Sequence, residues 1–431
     1  MFDAAPITTK RIWTLYYPLA ISWLFMGLEG PIIVQMIASV GIGEQKAVWL
    51  AAFNALLAIS LVIESPVIDL LSTSTTLCRG KLTFAAISKF SIQLMAICTV
   101  VHALVVFTPI YGWITGHYDP AVREALHAPL MVMLPWSAAI GWRRFKQGIL
   151  IRSGRTRMIG FGTAVRVGTL IAVSFVLSRS SPLSGVMIAG IALASSVTAE
   201  SIFVHFAAAR AIARLADGDE PLAPRKLVSF HIPLTVTTAM VLSSNFLITQ
   251  ALAASADHKV SHAAYQVALA FMWLHRAVVF ALPEVVITLY DHVSARPLLH
   301  RFSAIISLSM TGLMLFWGLT GLDYQFFRTV LGQDEVIARA AHWAFLGSAL
   351  LPAINGAQAY VRGVLTARHF TKPRMTAMGV GLAVMALTLL LGLQNKTSGI
   401  VLSAAAPTLA FAAELGVLIW ALLKLTPDYR T

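Results

Sequence analysis

Pro18 to Ala38 reads PLAISWLFMGLEGPIIVQMIA, and the chain writes the same pattern again from Pro233 to Ala253 as PLTVTTAMVLSSNFLITQALA. At a constant offset of 215 residues, Pro18 meets Pro233, Leu19 meets Leu234, Ile33 meets Ile248, Gln35 meets Gln250 and Ala38 meets Ala253. Aliphatic matches between two apolar helices carry little weight. A proline followed seventeen residues later by a glutamine carries more, because both residue types are unfavourable in hydrocarbon. Ser184-Gly185 precedes Glu200 as Ser398-Gly399 precedes Glu414, and Gly148-Ile149-Leu150 answers Gly363-Val364-Leu365. The chain is a tandem repeat of two half-molecules.

Of 431 residues, 58% are hydrophobic and 12% charged. A soluble domain carries about 25% charged residues, so the composition is that of an integral membrane protein. The formal charge of +13 follows topology rather than nucleic acid. Lys10, Arg11, Arg79, Lys81, Arg152, Arg155, Arg157, Arg214, Arg225 and Lys226 fall at alternate helix ends, and the opposite ends carry roughly a third as many cations. That bias places both termini in the cytoplasm. The first apolar run, after Lys10-Arg11, is too long for a cleaved signal and is expected to be the first span. Cys78 and Cys98 have no metal spacing and are expected to be free thiols.

About 20 apolar residues cross a bilayer as a helix. On that ruler the spans fall near 12–38, 47–74, 84–108, 126–152, 158–178, 184–212, 226–254, 262–290, 302–320, 337–366, 375–394 and 399–424. The expected fold is an all-α polytopic membrane protein, with twelve transmembrane helices as two six-helix bundles related by a tandem pseudo-twofold repeat. The polar stretch 217–224 (DGDEPLAP) divides an N-terminal bundle, 1–216, from a C-terminal one, 225–431. Parallel repeats of this kind place a cavity on their shared axis. Prolines 18, 31, 66, 135, 233, 283, 352 and 407 lie inside spans, where each permits a kink.

An ionisable side chain deep in a span costs roughly 2.5–3.5 kcal/mol on insertion scales, so it faces a partner or water. Glu200 and Glu414, at equivalent places in both halves, suit structural ion pairs, the first with Arg166. Lys146, Arg152, Arg362 and Arg368 lie near helix ends, where long side chains can reach the headgroups. His275 suits a satisfied core position. Residues that break the repeat are better candidates for binding one asymmetric substrate. Glu29 faces Ser244 and Gly30 faces Asn245 across the repeat, and Glu64 faces Arg276 when AAFNALLA at Ala51 is laid on AAYQVALA at Ala263. Arg143, Arg144, Arg166 and Arg276, with Gln35, Gln250 and Asn245, are therefore the expected substrate-binding residues. Glu29, Glu64 and Asp69 are the expected coupling-ion or proton sites. Guanidinium groups recognise carboxylate and phosphate in a planar, bidentate way, which favours an anionic substrate.

Two six-helix halves and a first span of the type YPLAISWLFMGLEG resemble the MATE-like exporter superfamily, which also contains oligosaccharidyl-lipid and polysaccharide exporters. Within it, Pro18-Leu19-Ala20-Ile21, Ser65-Pro66-Val67-Ile68-Asp69 and Gly148-Ile149-Leu150-Ile151 look closest to the progressive ankylosis protein and its bacterial relatives. The resemblance implies export of anions such as pyrophosphate, nucleotides or citrate. It departs from the drug antiporters, whose N-lobe acidic motif does not map cleanly onto Glu29 or Glu64. The sequence thus predicts a secondary active exporter working by alternating access, with a small organic or phosphate-containing anion as substrate. A MATE-type cation or drug antiporter and a lipid-linked saccharide flippase are the alternatives. The loop STSTTLCRGK lacks the major-facilitator motif, and no GxxxxGK[ST] loop is present. A polytopic membrane enzyme is disfavoured, because Glu64 and Asp69 lie about 140° apart around a helix, poor geometry for one metal. The expected partners are a small-molecule substrate, a coupling ion (H+ or Na+) and the bilayer, with no nucleic acid, cofactor or metal. A monomer in the inner membrane is expected.

Overall fold

The computed structural model describes residues 8–425 apart from 154, 156, 291, 369 and 371. Among the described residues nine helices are long and apolar enough to cross a membrane, and three bent pairs bring the spans to twelve. In chain order they begin with α1 (Thr9–Gly27 and Glu29–Val40), α2 (Glu44–Ile68 and Leu70–Leu77) and α3 (Lys81–Phe107). The first half ends with α4 (Pro120–Val132 and Trp136–Arg152), α5 (Arg157–Ser180) and α6 (Gly185–Ala213). The second half has α7 (Pro224–Ala253), α8 (His258–Ala277 and Leu282–Leu289, joined by a 3-10 turn) and α9 (Arg296–Thr320). It closes with α10 (Glu335–Gly347 and Leu351–Ala367), α11 (Lys372–Gln394) and α12 (Gly399–Leu425).

The bends are 47° in α4, 42° in α8 and 41° in α10. Pro135, Pro283 and Pro352 each stand at the start of the segment after the bend, where a residue without an N–H interrupts the ladder least. Pro233 and Pro407 lie inside helices that run on unbroken, so a proline permits a bend without imposing one.

The chain forms two compact units. One is Met36–Ala253, with α2 to α7; the other is Met1–Gln35 with Ala254–Thr431, as far as these are described, with most of α1 and α8 to α12. This differs from a division at 217–224. The first span of each half belongs to the unit built on the other half's remaining spans.

Each unit carries one hydrogen bond from that first span to a carbonyl at a helix break, in α2 and in α8, where the regular backbone ladder is interrupted. In the first unit His231 of α7 donates from Nε2 to the Pro66 carbonyl of α2 (2.9 Å), and the Thr73 hydroxyl fixes that tautomer by donating to Nδ1 (2.8 Å). In the second unit the Tyr16 hydroxyl of α1 donates to the Val278 carbonyl of α8 (3.0 Å). Tyr16 and His231 are equivalent at the repeat offset of 215, and Pro66 and Val278 at the 212 of the second spans. The same bond is made twice, with a phenol in one unit and an imidazole in the other. Around Tyr16 the core includes Ile12, Leu282, Leu299, Phe302 and Tyr360.

The glycines echoed in the sequence bring α4 onto α2 and α10 onto α8. A Cβ at Gly148 would overlap the Ser74 side chain and the Leu71 carbonyl; one at Gly363 would stand 2.7 Å from Val286 Cβ. The polar stretch after α6 is a helix cap as well as a connection. Lys81 Nζ reaches Asp217 (2.8 Å), and Asp219 accepts from the N–H groups of Leu82 and Thr83 (both 2.9 Å) at the start of α3.

Tyr16→Phe leaves the Val278 carbonyl with only a long bond from the Ala281 N–H (3.4 Å) and should cost about 1 kcal/mol, read as a lower thermal midpoint in detergent. Tyr16→His, which copies the other unit, should recover part of it; an unchanged midpoint in Tyr16→Phe would remove the bond from the account of packing. Desolvation raises the Asp219 carboxyl, but hydrogen bonds from the Thr83 side chain and the Thr83 and Leu82 N–H groups outweigh it and hold the group below the usual aspartate value. A lowered folded value stabilises above the unfolded one and is lost as pH falls through the folded one. The stability advantage of wild type over Asp219→Asn should therefore shrink as pH falls below the usual aspartate range, about pH 4. A difference independent of pH would exclude the carboxylate as the cap.

Candidate functional site

Two ion-pair clusters sit at equivalent places, one in each unit. In the first, Glu200 of α6 accepts from Arg143 Nη1 and from Gln147 Nε2 (3.1 Å), both on α4. Arg166 of α5, the partner anticipated for Glu200, stands 3.9 Å from the same carboxylate, behind Arg143. In the second, Glu414 of α12 accepts from Arg362 Nη2 and from Gln358 Nε2 (3.1 Å), both on α10. Arg143 corresponds to Gln358 and Gln147 to Arg362 at the offset of 215. Each half thus has one arginine and one glutamine four residues apart, in opposite order, gripping one glutamate. Residues i and i+4 share a helix face, so either order reaches the carboxylate.

This assigns several expected site residues to packing. Arg143 is buried and committed to Glu200. Arg362 is held by Glu414 rather than reaching for headgroups. Lys146 is buried among the rings of Trp142, Phe84 and Phe145, with Nζ 4.5, 4.9 and 4.9 Å from their centroids. Gln250 staples the end of α7 to the loop before α4, donating to the Ile114 carbonyl (3.1 Å) and meeting His117 Nε2 at 3.0 Å. Its repeat partner Gln35 is exposed on α1. Asn245 lies half-buried on α7. His275 is buried and bonds through Nδ1 to the Phe271 carbonyl of its own helix (3.0 Å).

The carboxylates expected to carry a coupling ion lie at helix breaks. Glu64 of α2 is buried and accepts from the Trp136 indole N–H, on the first residue after the α4 bend. Asp69 occupies the break of α2 and accepts from Thr238 of α7. Glu29, in the other unit, is buried beside the break of α1, where the neighbouring Gly30 packs against Ala270 of α8.

Two guanidinium groups remain. Arg144 of α4 is near enough to Glu64 and Asp69 to be felt electrostatically, and among the described residues it makes no ion pair. Arg276 of α8 also makes none. Its Nε donates to Asn355 Oδ1 (2.9 Å), and its guanidinium carbon lies 5.5 Å from the Phe280 ring and 5.6 Å from the Phe411 ring. Asn355 Nδ2 donates to Gln358 Oε1 (3.1 Å), so a continuous chain of bonds joins Arg276 to Glu414. A planar cation braced at one edge, with its other nitrogens uncommitted, can bind a carboxylate or a phosphate.

Gln147, Gln358, Asn355, Trp136, Tyr16 and His231 escaped the sequence reading. The Arg143/Gln147 and Gln358/Arg362 inversion was present in the repeat alignment, as an i, i+4 pair with its members exchanged. Trp136 and Asn355 left no comparable mark.

No protein-family model and no curated protein matches the chain. Solved structures do. An inward-facing multidrug resistance MATE transporter of the MOP superfamily superposes with a TM-score of 0.70, 12% identity and coverage of 96% of this chain and 99% of that one. The chain has the MATE fold. A MOP superfamily transporter from Pyrococcus furiosus, described by a binding pocket of reverse polarity that suggests a different function, gives 0.65 at 13% identity, covering 99% of this chain and 100% of that one. Lipid II flippase MurJ in an inward closed conformation gives 0.67 at 12% identity, covering 94% and 87%. The multi-pass, twelve-helix membrane architecture is common to this fold and the present chain.

Glu200→Ala would leave Arg143 buried without its counter-ion and should destabilise the protein by about 3–5 kcal/mol. The exchange Arg143→Gln with Gln147→Arg, which writes the second half's order into the first, should keep a near-normal thermal midpoint and monodisperse elution. If the exchange is as damaging as Glu200→Ala, the two clusters are not interchangeable braces.

Proposed function

We propose that the protein is a secondary active exporter of a small organic or phosphate-containing anion, working by alternating access. The observation that carries this reading is Arg276: a half-buried guanidinium with no carboxylate partner among the described residues, near two aromatic rings and held by a neutral amide. A cavity for cationic drugs would place acids there. Arg144 supplies a second uncommitted cation in the other unit. The MOP transporter with a binding pocket of reverse polarity supports the idea that this fold accommodates a change of sign.

In this reading the substrate anion binds Arg276 and drives the transition by binding the alternating states with different affinity. Glu64, Asp69 or Glu29 carries the coupling ion, H+ or Na+. Glu64 is the first choice, because the Trp136 indole ties its carboxylate to the α4 bend. The protein acts as a monomer in the inner membrane with both termini cytoplasmic, on the side of the superfamily occupied by progressive ankylosis-type exporters, and it is not an enzyme. The likeness to MurJ favours a second reading, a flippase for a lipid-linked saccharide, whose diphosphate would meet Arg276.

Proteoliposomes loaded with labelled citrate, pyrophosphate or a nucleotide, under an imposed pH gradient, test the proposal. Arg276→Gln should slow movement of the accepted anion by about tenfold or more, the loss of one charge-assisted hydrogen-bonding group. Glu64→Gln should flatten the pH dependence. Movement of a lipophilic cation instead, or normal anion movement in Arg276→Gln, would overturn the anion reading; a silent panel with lipid-linked saccharide turnover would favour the flippase.

A further inference from the structure

An apolar groove lies between α10 and α12, in the unit that holds α8 to α12. It encloses about 970 Å³. One wall is Val336 and Trp343 of α10, which are 63% and 58% exposed; the other is Val401 and Leu409 of α12. Its floor is made of small residues, Ala340 and Ala405 among them. The groove closes at Gly347, where an added Cβ would stand 2.8 Å from Ala404 Cβ.

Its open end is polar. Glu335 and Arg339, one turn apart at the start of α10, form an exposed ion pair at 2.6 Å, and Ser398 lies across from them. From Glu335 to Gly347 the helix rises about 18 Å, close to one leaflet of a hydrocarbon core of about 30 Å. An apolar channel of one-leaflet length, cut into membrane-spanning helices and capped by one anion and one cation, has the shape and charge order of a single phospholipid.

We propose that this groove binds a phosphatidylethanolamine molecule, with an acyl chain along the floor and the headgroup across Glu335 and Arg339. The phosphate accepts from the Arg339 guanidinium, which has donors to spare beyond those given to Glu335. The primary ammonium donates to the Glu335 carboxylate. A choline headgroup has no N–H to donate, and a glycerol headgroup has hydroxyls but no cation, so neither makes the charge-assisted bond to Glu335. An exposed i, i+4 pair is worth little by itself, and opening it to admit a zwitterion costs correspondingly little.

Trp343 is the built-in reporter. Protein reconstituted in phosphatidylcholine vesicles is given phosphatidylethanolamine, phosphatidylglycerol or phosphatidylcholine with brominated chains at equal mole fraction, and the Trp343 signal is isolated as the difference between wild type and Trp343→Phe. Brominated phosphatidylethanolamine should show an apparent affinity about threefold above the other two, the worth of one exposed charge contact. Glu335→Gln, a surface change, should abolish that preference, and Ala405→Phe should abolish quenching from the groove for all three lipids. Equal quenching by the three headgroups in wild type, a preference that survives Glu335→Gln, or efficient cross-linking of two copies through Val336→Cys would overturn the proposal. None of these readouts involves transport, so they stand or fall apart from the export reading.

Discussion

A carbonyl released at a helix break inside a membrane has no water to turn to, and that constraint organises both units. Each second span breaks, at Asp69 in α2 and at Val278 in α8, and each break needs a donor from another helix. The donor is always the first span of the opposite sequence half: His231 for the Pro66 carbonyl and Tyr16 for that of Val278. Exchange of α1 and α7 between the two compact units is therefore tied to a specific bond, made in both. Ionisable groups stand at both breaks: Asp69 sits in one, and Arg276 stands two residues before the other.

Around this frame the charges divide into two sets with different duties. Glu200 with Arg143 and Gln147, and Glu414 with Arg362 and Gln358, are clusters in which a cation and an amide both donate to one buried anion. Desolvating an ion pair is costly, and these clusters offset the cost with a second hydrogen-bond donor to the same carboxylate. The inverted order of arginine and glutamine in the two halves keeps the cluster's composition constant, as expected of a brace. Arg144 and Arg276 form the other set. Among the described residues they make no ion pair, and they differ across the repeat, which is where an asymmetric substrate would be read.

How far the sequence could be read depended on whether a signal lay along the chain or across it. The span limits were legible because each span is a local run of apolar residues bounded by charges and prolines; the structure moves them by a few residues. The candidate arginines were legible as types, since a guanidinium in a span always needs explaining. Their sorting was not. Arg143 and Arg144 are adjacent and identical in kind, yet one points to Glu200 on α6 and the other makes no ion pair. Neighbours on a helix are turned about 100° apart, and only the packing of α4 shows which face meets an acid. Gln250 misled for the same reason: a glutamine in a span suggested a binding group, and the fold uses it to hold Ile114 and His117.

By itself the sequence determined the membrane character, the number of spans, the duplication and the list of charges that must be accounted for, because each follows from composition and periodicity along one chain. Tertiary structure alone decided which helices share a unit and which guanidiniums are paired with an acid. Those outcomes depend on contacts between residues far apart in the chain, such as Tyr16 with Val278 and Arg143 with Glu200, and a partner reached only through folding leaves no mark at a fixed spacing in the sequence.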